Sequence, residues 1–186
     1  MLATYIFASS MMAYGIFFLA LSVFISKSDD SVEKVSFREK LCREKISGLL
    51  MSFAAFIWCA MHGSSIFLGQ AISSYFIPMA FILTWLAYFL LDFLPARSAG
   101  ALMILISHYH LQWVFALNPP LSPLVSITCF FTGTCGIIIS GKPCLARDFF
   151  RAVSKSSNQR KFCSAISLAC GIVYIACSVY HLVNGK

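Results

Sequence analysis

Six stretches of this chain are long enough to cross a bilayer as helices and hold almost no charge. They are Leu2–Ser26, Ile46–Gly69, Tyr75–Leu94, Ala99–Leu117, Leu121–Gly141 and Cys163–Asn184. A spanning helix needs about 20 mostly apolar residues. Only one charged side chain, Asp92, falls inside the six, close to the end of the third. Hydrocarbon offers no partner for backbone N–H and C=O groups, so such segments must be helical. Composition agrees, with 59% hydrophobic and 11% charged residues, against about 45–50% and about 25% in a soluble domain. A soluble globule of 186 residues cannot hide so much apolar surface. Disorder is excluded by 18 Phe, 7 Tyr and 3 Trp. The expected fold is all-α: one polytopic membrane domain over residues 1–186, a compact bundle of six transmembrane helices.

Charge sets the expected orientation. The linker 27–45 carries Lys27, Lys34, Arg38, Lys40, Arg43 and Lys45. The linker 142–162 carries Lys142, Arg147, Arg151, Lys155, Arg160 and Lys161, and Arg97 follows the third span. With six spans these linkers share one side, leaving only Lys186 on the other. The positive-inside rule makes the basic side cytoplasmic and puts both termini outside. The formal charge of +7 therefore records topology and implies no nucleic-acid partner. Because no Lys or Arg precedes the first apolar run, that run is expected to be a retained span, not a cleaved signal peptide. A bacterial inner membrane is the expected location. The eight cysteines include no Cys-x-x-Cys pair and lie mostly in apolar runs, where Cys behaves as a small hydrophobe.

The two basic loops differ. In the first, Asp30-Ser31-Val32-Glu33 resembles a helix-capping box. Glu39 and Arg43, like Lys40 and Glu44, stand four residues apart. A solvated helix leading into the second span is expected there. In the other, Pro143 suits a helix start, and Leu145, Phe149 and Val153 recur every four residues. Lys142, Arg147, Arg151 and Lys155 interleave with them. This is the pattern of a basic amphipathic helix contacting anionic inner-leaflet headgroups. Docking of a soluble partner is the alternative.

Small and polar residues mark the side of a membrane helix that faces protein. In the sixth span Cys163, Ser167, Cys170, Tyr174, Cys177 and His181 form one stripe, with Leu168, Ile172, Ile175, Val179 and Leu182 opposite. The second span has Gly48, Ser52, Ala55, Cys59 and His62, and the fifth has Cys129, Gly133, Gly136 and Ser140. Ordinary helix packing accounts for all three stripes. Successive sulfurs of Cys163, Cys170 and Cys177 lie about 10 Å apart along the axis, too far for a metal box. No metal site is expected.

The histidines are the constellation that can carry chemistry, as ionisable groups inside a membrane usually face the bundle interior. Counted from the outer ends of their spans, His62 and His110 lie about 10 Å deep, His108 about 13 Å and His181 about 4 Å. His108 and His110 point about 200° apart, so only one can face a given neighbour. His110 lies on the stripe of Ser107, Met103 and Gly100. Paired with His62, either can hold a haem iron. A neutral imidazole can instead bind a quinone or another small ligand, or relay protons, with Tyr174 as a shared partner. Each can also simply bond a neighbouring carbonyl or hydroxyl.

Asp92 and Arg97 are expected to clamp the turn around Pro95, since an acid at a helix C-terminus needs a partner. Pro78 and Pro119-Pro120 are placed at outer turns. The chain has no Gly-rich phosphate loop, HExxH, Gly-x-Ser-x-Gly or intramembrane acid pair, so no catalytic residue is identified. Three function classes follow. The first is a small transport-type or ligand-binding protein, or the membrane subunit of a complex, with an outward-facing polar pocket. The second is a redox subunit with haem or quinone, and the third an assembly protein with no ligand.

Overall fold

The structure, a computed structural model, describes residues 2–27, 44–66, 70–117 and 121–184. The expected capped helix around Asp30–Glu33 and Pro119-Pro120 lie outside the described residues. Seven helices occur among the described residues: α1 (Leu2–Ser26), α2 (Lys45–Ile66), α3 (Gln70–Leu90), α4 (Leu94–Leu117), α5 (Ser122–Gly141), α6 (Cys144–Lys155) and α7 (Ser157–Asn184). No strand is found among them. Five are long and apolar enough to cross a membrane: Tyr5–Ser26, Lys45–His62, Leu94–Leu117, Ser122–Gly141 and Ser157–Val183. The protein is all-α and of the integral-membrane type. Its outer surface carries Ile16, Phe17, Trp85, Phe89, Phe115, Ile127, Phe130 and Ile172, which lipid accommodates and water does not.

Several limits differ from those expected. The third helix ends at Leu90, so Asp92 stands in the following turn, exposed, and not within a span. Phe93 there has φ 55°, and its carbonyl accepts from the N–H groups of Ala96 and Arg97. Pro95 thus belongs to the first turn of α4, where its missing N–H costs nothing. Pro78 lies inside α3 rather than at a turn, as membrane helices tolerate. The last helix starts at Ser157, before the apolar run, because polar residues extend a helix readily once they reach water.

The chain falls into two compact units. The first comprises α1, α4 from Ser107 onward, α5 as far as Phe131, α6 from Phe149 and α7. Here α1 and α7 run antiparallel along each other. Ser22 Oγ donates to Ser164 O (2.9 Å) and Ser164 Oγ to Ser22 O (3.1 Å). Seven residues along, a Cβ on Gly15 would lie 3.2 Å from Gly171 O, and one on Gly171 3.1 Å from Gly15 O. Seven further, Ser178 Oγ donates to Ala8 O (2.7 Å). Small residues at heptad spacing on both helices let the backbones close in. The expected α7 stripe is the buried one, from Ser167 through Cys170, Tyr174 and Cys177 to His181.

The second unit comprises α2, α3, α4 as far as Ile106, α5 from Thr132 and α6 as far as Asp148. A Cβ on Gly100 would lie 2.6 Å from Gly136 O, and one on Gly136 2.7 Å from Gly100 O. Only glycine fits at this crossing of α4 and α5. Ser98 Oγ, close to both carbonyls, lies 2.7 Å from Leu94 O and 3.2 Å from Gly48 O. Helix α3 rests on α2 through Ala80, Thr84 and Ala87, all buried, with Phe53 and Phe81 in ring contact at 4.9 Å.

Candidate functional site

In the first unit the buried face of α1 repeats at alternating spacings of four and three: Phe7, Met11, Tyr14 and Phe18. This places Tyr14 beside the α7 stripe, where Tyr174 is fully buried. From α4 comes His110, which follows Ser107 and precedes Val114 on that helix's buried face. Three rings converge: Tyr14 to His110 is 5.4 Å between centroids, His110 to Tyr174 5.4 Å, and Tyr14 to Tyr174 5.2 Å. Helix α5 adds Cys129, whose Sγ lies 3.2 Å from the Tyr174 hydroxyl. Phe7 packs edge-on against His110 at 6.1 Å and against His181 at 5.5 Å. Helices α1, α4, α5 and α7 thus surround one polar-aromatic cluster.

His110 meets a hydrogen-bonding side chain at one ring nitrogen. Ser10 Oγ donates its one proton to Phe7 O (2.7 Å) and lies 3.3 Å from His110 Nε2. In that contact the ring nitrogen donates or accepts according to the tautomer. The other nitrogen, Nδ1, is buried without a protein partner. His181 Nε2 is likewise buried without one. A buried polar atom left unsatisfied costs about 1–3 kcal/mol, and buried polar groups are ordinarily paired.

The structure therefore brings His110, His181 and Tyr174 together in the first unit. His108 is exposed on the opposite side of α4, as is Gln112 four residues on. His62 belongs to the second unit, half-buried beside Trp58 at 6.4 Å. Cys59, expected on the inward stripe of α2, is exposed. Among the described residues, no group of three or more His, Cys, Asp or Glu side chains is arranged to hold a metal ion.

Arg97 does not reach Asp92. Its Nη1 donates to Ser140 O (3.2 Å), tying the start of α4 to the end of α5. Among the described residues the ion pair is Arg147–Asp148 (3.3 Å), on α6. The Pro95 turn is closed instead by the carbonyl of Phe93, which supplies the capping that an Asp92–Arg97 pair was expected to provide.

Sequence reasoning missed Ser10, Tyr14 and Phe7. Helix α1 is apolar all round, so its inward face has little contrast. The available signal was the pair of polar residues Ser10 and Tyr14, four apart and so on one side of the helix. A surface cavity of about 630 Å³ lies elsewhere, at the junction of α6 and α7, lined by Ala152, Lys155 and Ser156 to Gln159. Protein families, curated proteins and solved structures provide no match to this chain.

Proposed function

We propose that the protein is a multi-pass protein of a bacterial inner membrane that binds a small hydrogen-bonding molecule at the His110 cluster, as a transport-type or ligand-binding protein. The carrying observation is His110 Nδ1, a ring nitrogen buried in the core of the first unit with no protein partner. The ligand completes the hydrogen bonding of that nitrogen, beside the rings of Phe7, Tyr14 and Tyr174. Because Phe7 packs against both His110 and His181, it occupies space that a porphyrin between them needs. This favours a small ligand over haem.

Six spans are part of the reading. The antiparallel course of α1 and α7 supports an even number of crossings, which requires α3 to cross as well as the five longer helices. Helix α3 has 21 residues, about 31 Å of rise, enough for the hydrocarbon core. Both termini then lie on one side, and the basic linkers make the other side cytoplasmic. A thiol reagent that cannot cross membranes should miss the exposed Cys144 in intact cells and label it in inverted vesicles. Labelling from outside overturns this topology.

The ligand reading is tested on protein purified in native lipid, with retained small molecules identified by mass spectrometry. Wild type and His108→Phe should retain a small molecule with a hydrogen-bonding group that His110→Phe loses. Equal retention by His110→Phe, or nothing retained by wild type, defeats the proposal.

A further inference from the structure

Helix α6 divides its surface three ways. Ala146, Val153 and Ser154 are buried. Beside them on the apolar arc stand Leu145 and Phe149, 41% and 44% exposed. Across the helix Arg147, Arg151 and Lys155 fall at four-residue intervals, the last two exposed. From Lys142 to Lys161 the chain has six basic residues and one acid, Asp148. At 12 residues, α6 rises only about 18 Å, too short to cross a bilayer. Two residues separate it from α5 and one from α7, both long and apolar enough to span. Such short tethers hold α6 at the membrane surface.

We infer that α6 is an interfacial helix that binds the anionic headgroups of the leaflet against which it lies. Leu145 and Phe149 enter the acyl boundary, while Arg147, Arg151 and Lys155 sit at the level of the phosphates. An exposed apolar edge next to a cationic face matches a lipid interface, because apolar burial and charge attraction act on the same helix there. A soluble acidic partner would complement the cations but leave the apolar edge facing hydrocarbon unexplained. This inference rests on α5 and α7 crossing the membrane and is independent of the His110 site.

The test compares wild type with Arg147→Gln/Arg151→Gln/Lys155→Gln in nanodiscs of phosphatidylcholine alone and of a phosphatidylglycerol-rich mixture. Wild type should melt several degrees higher in the anionic discs, with the gain shrinking as salt rises. The triple variant should lose most of that gain. A gain equal in the two proteins, or none in wild type, overturns the inference. A second measurement keeps the native charges. Phe149→benzoylphenylalanine, irradiated in native membranes, should form lipid adducts. Adducts to a soluble protein instead overturn it in favour of partner docking. Labelling of Cys144 from outside, with the lipid dependence intact, would move α6 to the outer leaflet. It would refute the six-span topology but not the headgroup contact.

Discussion

In the second unit, α4 meets α5 at glycines: Gly100 and Gly136 each point at the other's carbonyl, and Ser98 and Arg97 bond nearby backbone oxygens. In the first, α1 meets α7 along a ladder of small residues, but beside that ladder stand bulky polar rings, Tyr14, His110 and Tyr174. Lipid gives helices no hydrophobic reason to associate, so close backbone approach and interhelical hydrogen bonds must do it. The second unit relies on these and leaves one guanidinium nitrogen, Arg97 Nε, buried without a partner. The first supports, in addition, two imidazole nitrogens buried without protein partners. A tight ladder thus appears beside a cluster that is costly by itself.

The largest effect separating the units should come from the rings. Tyr174→Ala leaves a cavity in the first unit and should cost about 3 kcal/mol, whereas Ile172→Ala, on the exposed face of the same helix, should cost far less. Reversible unfolding in detergent measures both, and equal losses would show that the faces of α7 are misassigned. Next are the glycines. Gly100→Ala meets two backbone atoms, Gly136 O at 2.6 Å and Ser140 N at 2.8 Å, and should cost about 2 kcal/mol. Gly171→Ala meets the flexible end of Leu19 at 3.0 Å and Gly15 O at 3.1 Å, both looser contacts, and should cost about half as much. If Gly171→Ala proves the more damaging, the contrast in how the units close their backbones fails.

Single hydrogen bonds come third. Ser178→Ala removes the donor to Ala8 O in the first unit and Ser98→Ala the donor near Gly48 O in the second. Each should lower stability by about 0.6 kcal/mol, as for interhelical bonds in a membrane. Losses of several kcal/mol from Ser178→Ala alone would show that the ladder depends on its hydroxyls and not on close approach. The smallest expected change in stability belongs to His110→Phe. It gives up one bond to Ser10 but also removes the orphaned Nδ1, so the melting temperature should barely move. A large loss would mean that His110 is structural and would remove the motive for a ligand there.

How much of this was legible depends on contrast. On α7, polar and small residues alternate with Leu and Ile, so the inward stripe from Ser167 to His181 could be read directly. On α1 both faces are apolar, and the heptads Ala8, Gly15, Ser22 and Ser164, Gly171, Ser178 stand out only once the two helices are known to be partners. The amphipathic pattern of α6 was equally plain, because charge and apolar residues alternate every two positions. Asp92 and Arg97 were misjudged because proximity in sequence does not fix where a long guanidinium goes: it found the Ser140 carbonyl on α5.

The sequence by itself determined the class of protein, the helical state of its apolar runs and the face that α7 turns inward. These follow from local facts: the solvation cost of backbone and charge in hydrocarbon, and the 3.6-residue period of a helix. Only the tertiary structure decided that α1 and α7 pair in heptad register, that His110 rather than His108 is enclosed, and that His62 belongs to a different unit from His110 and Tyr174. Such choices depend on which helix lies opposite, and lipid-facing and protein-facing residues are too alike in polarity for one chain to announce its neighbours.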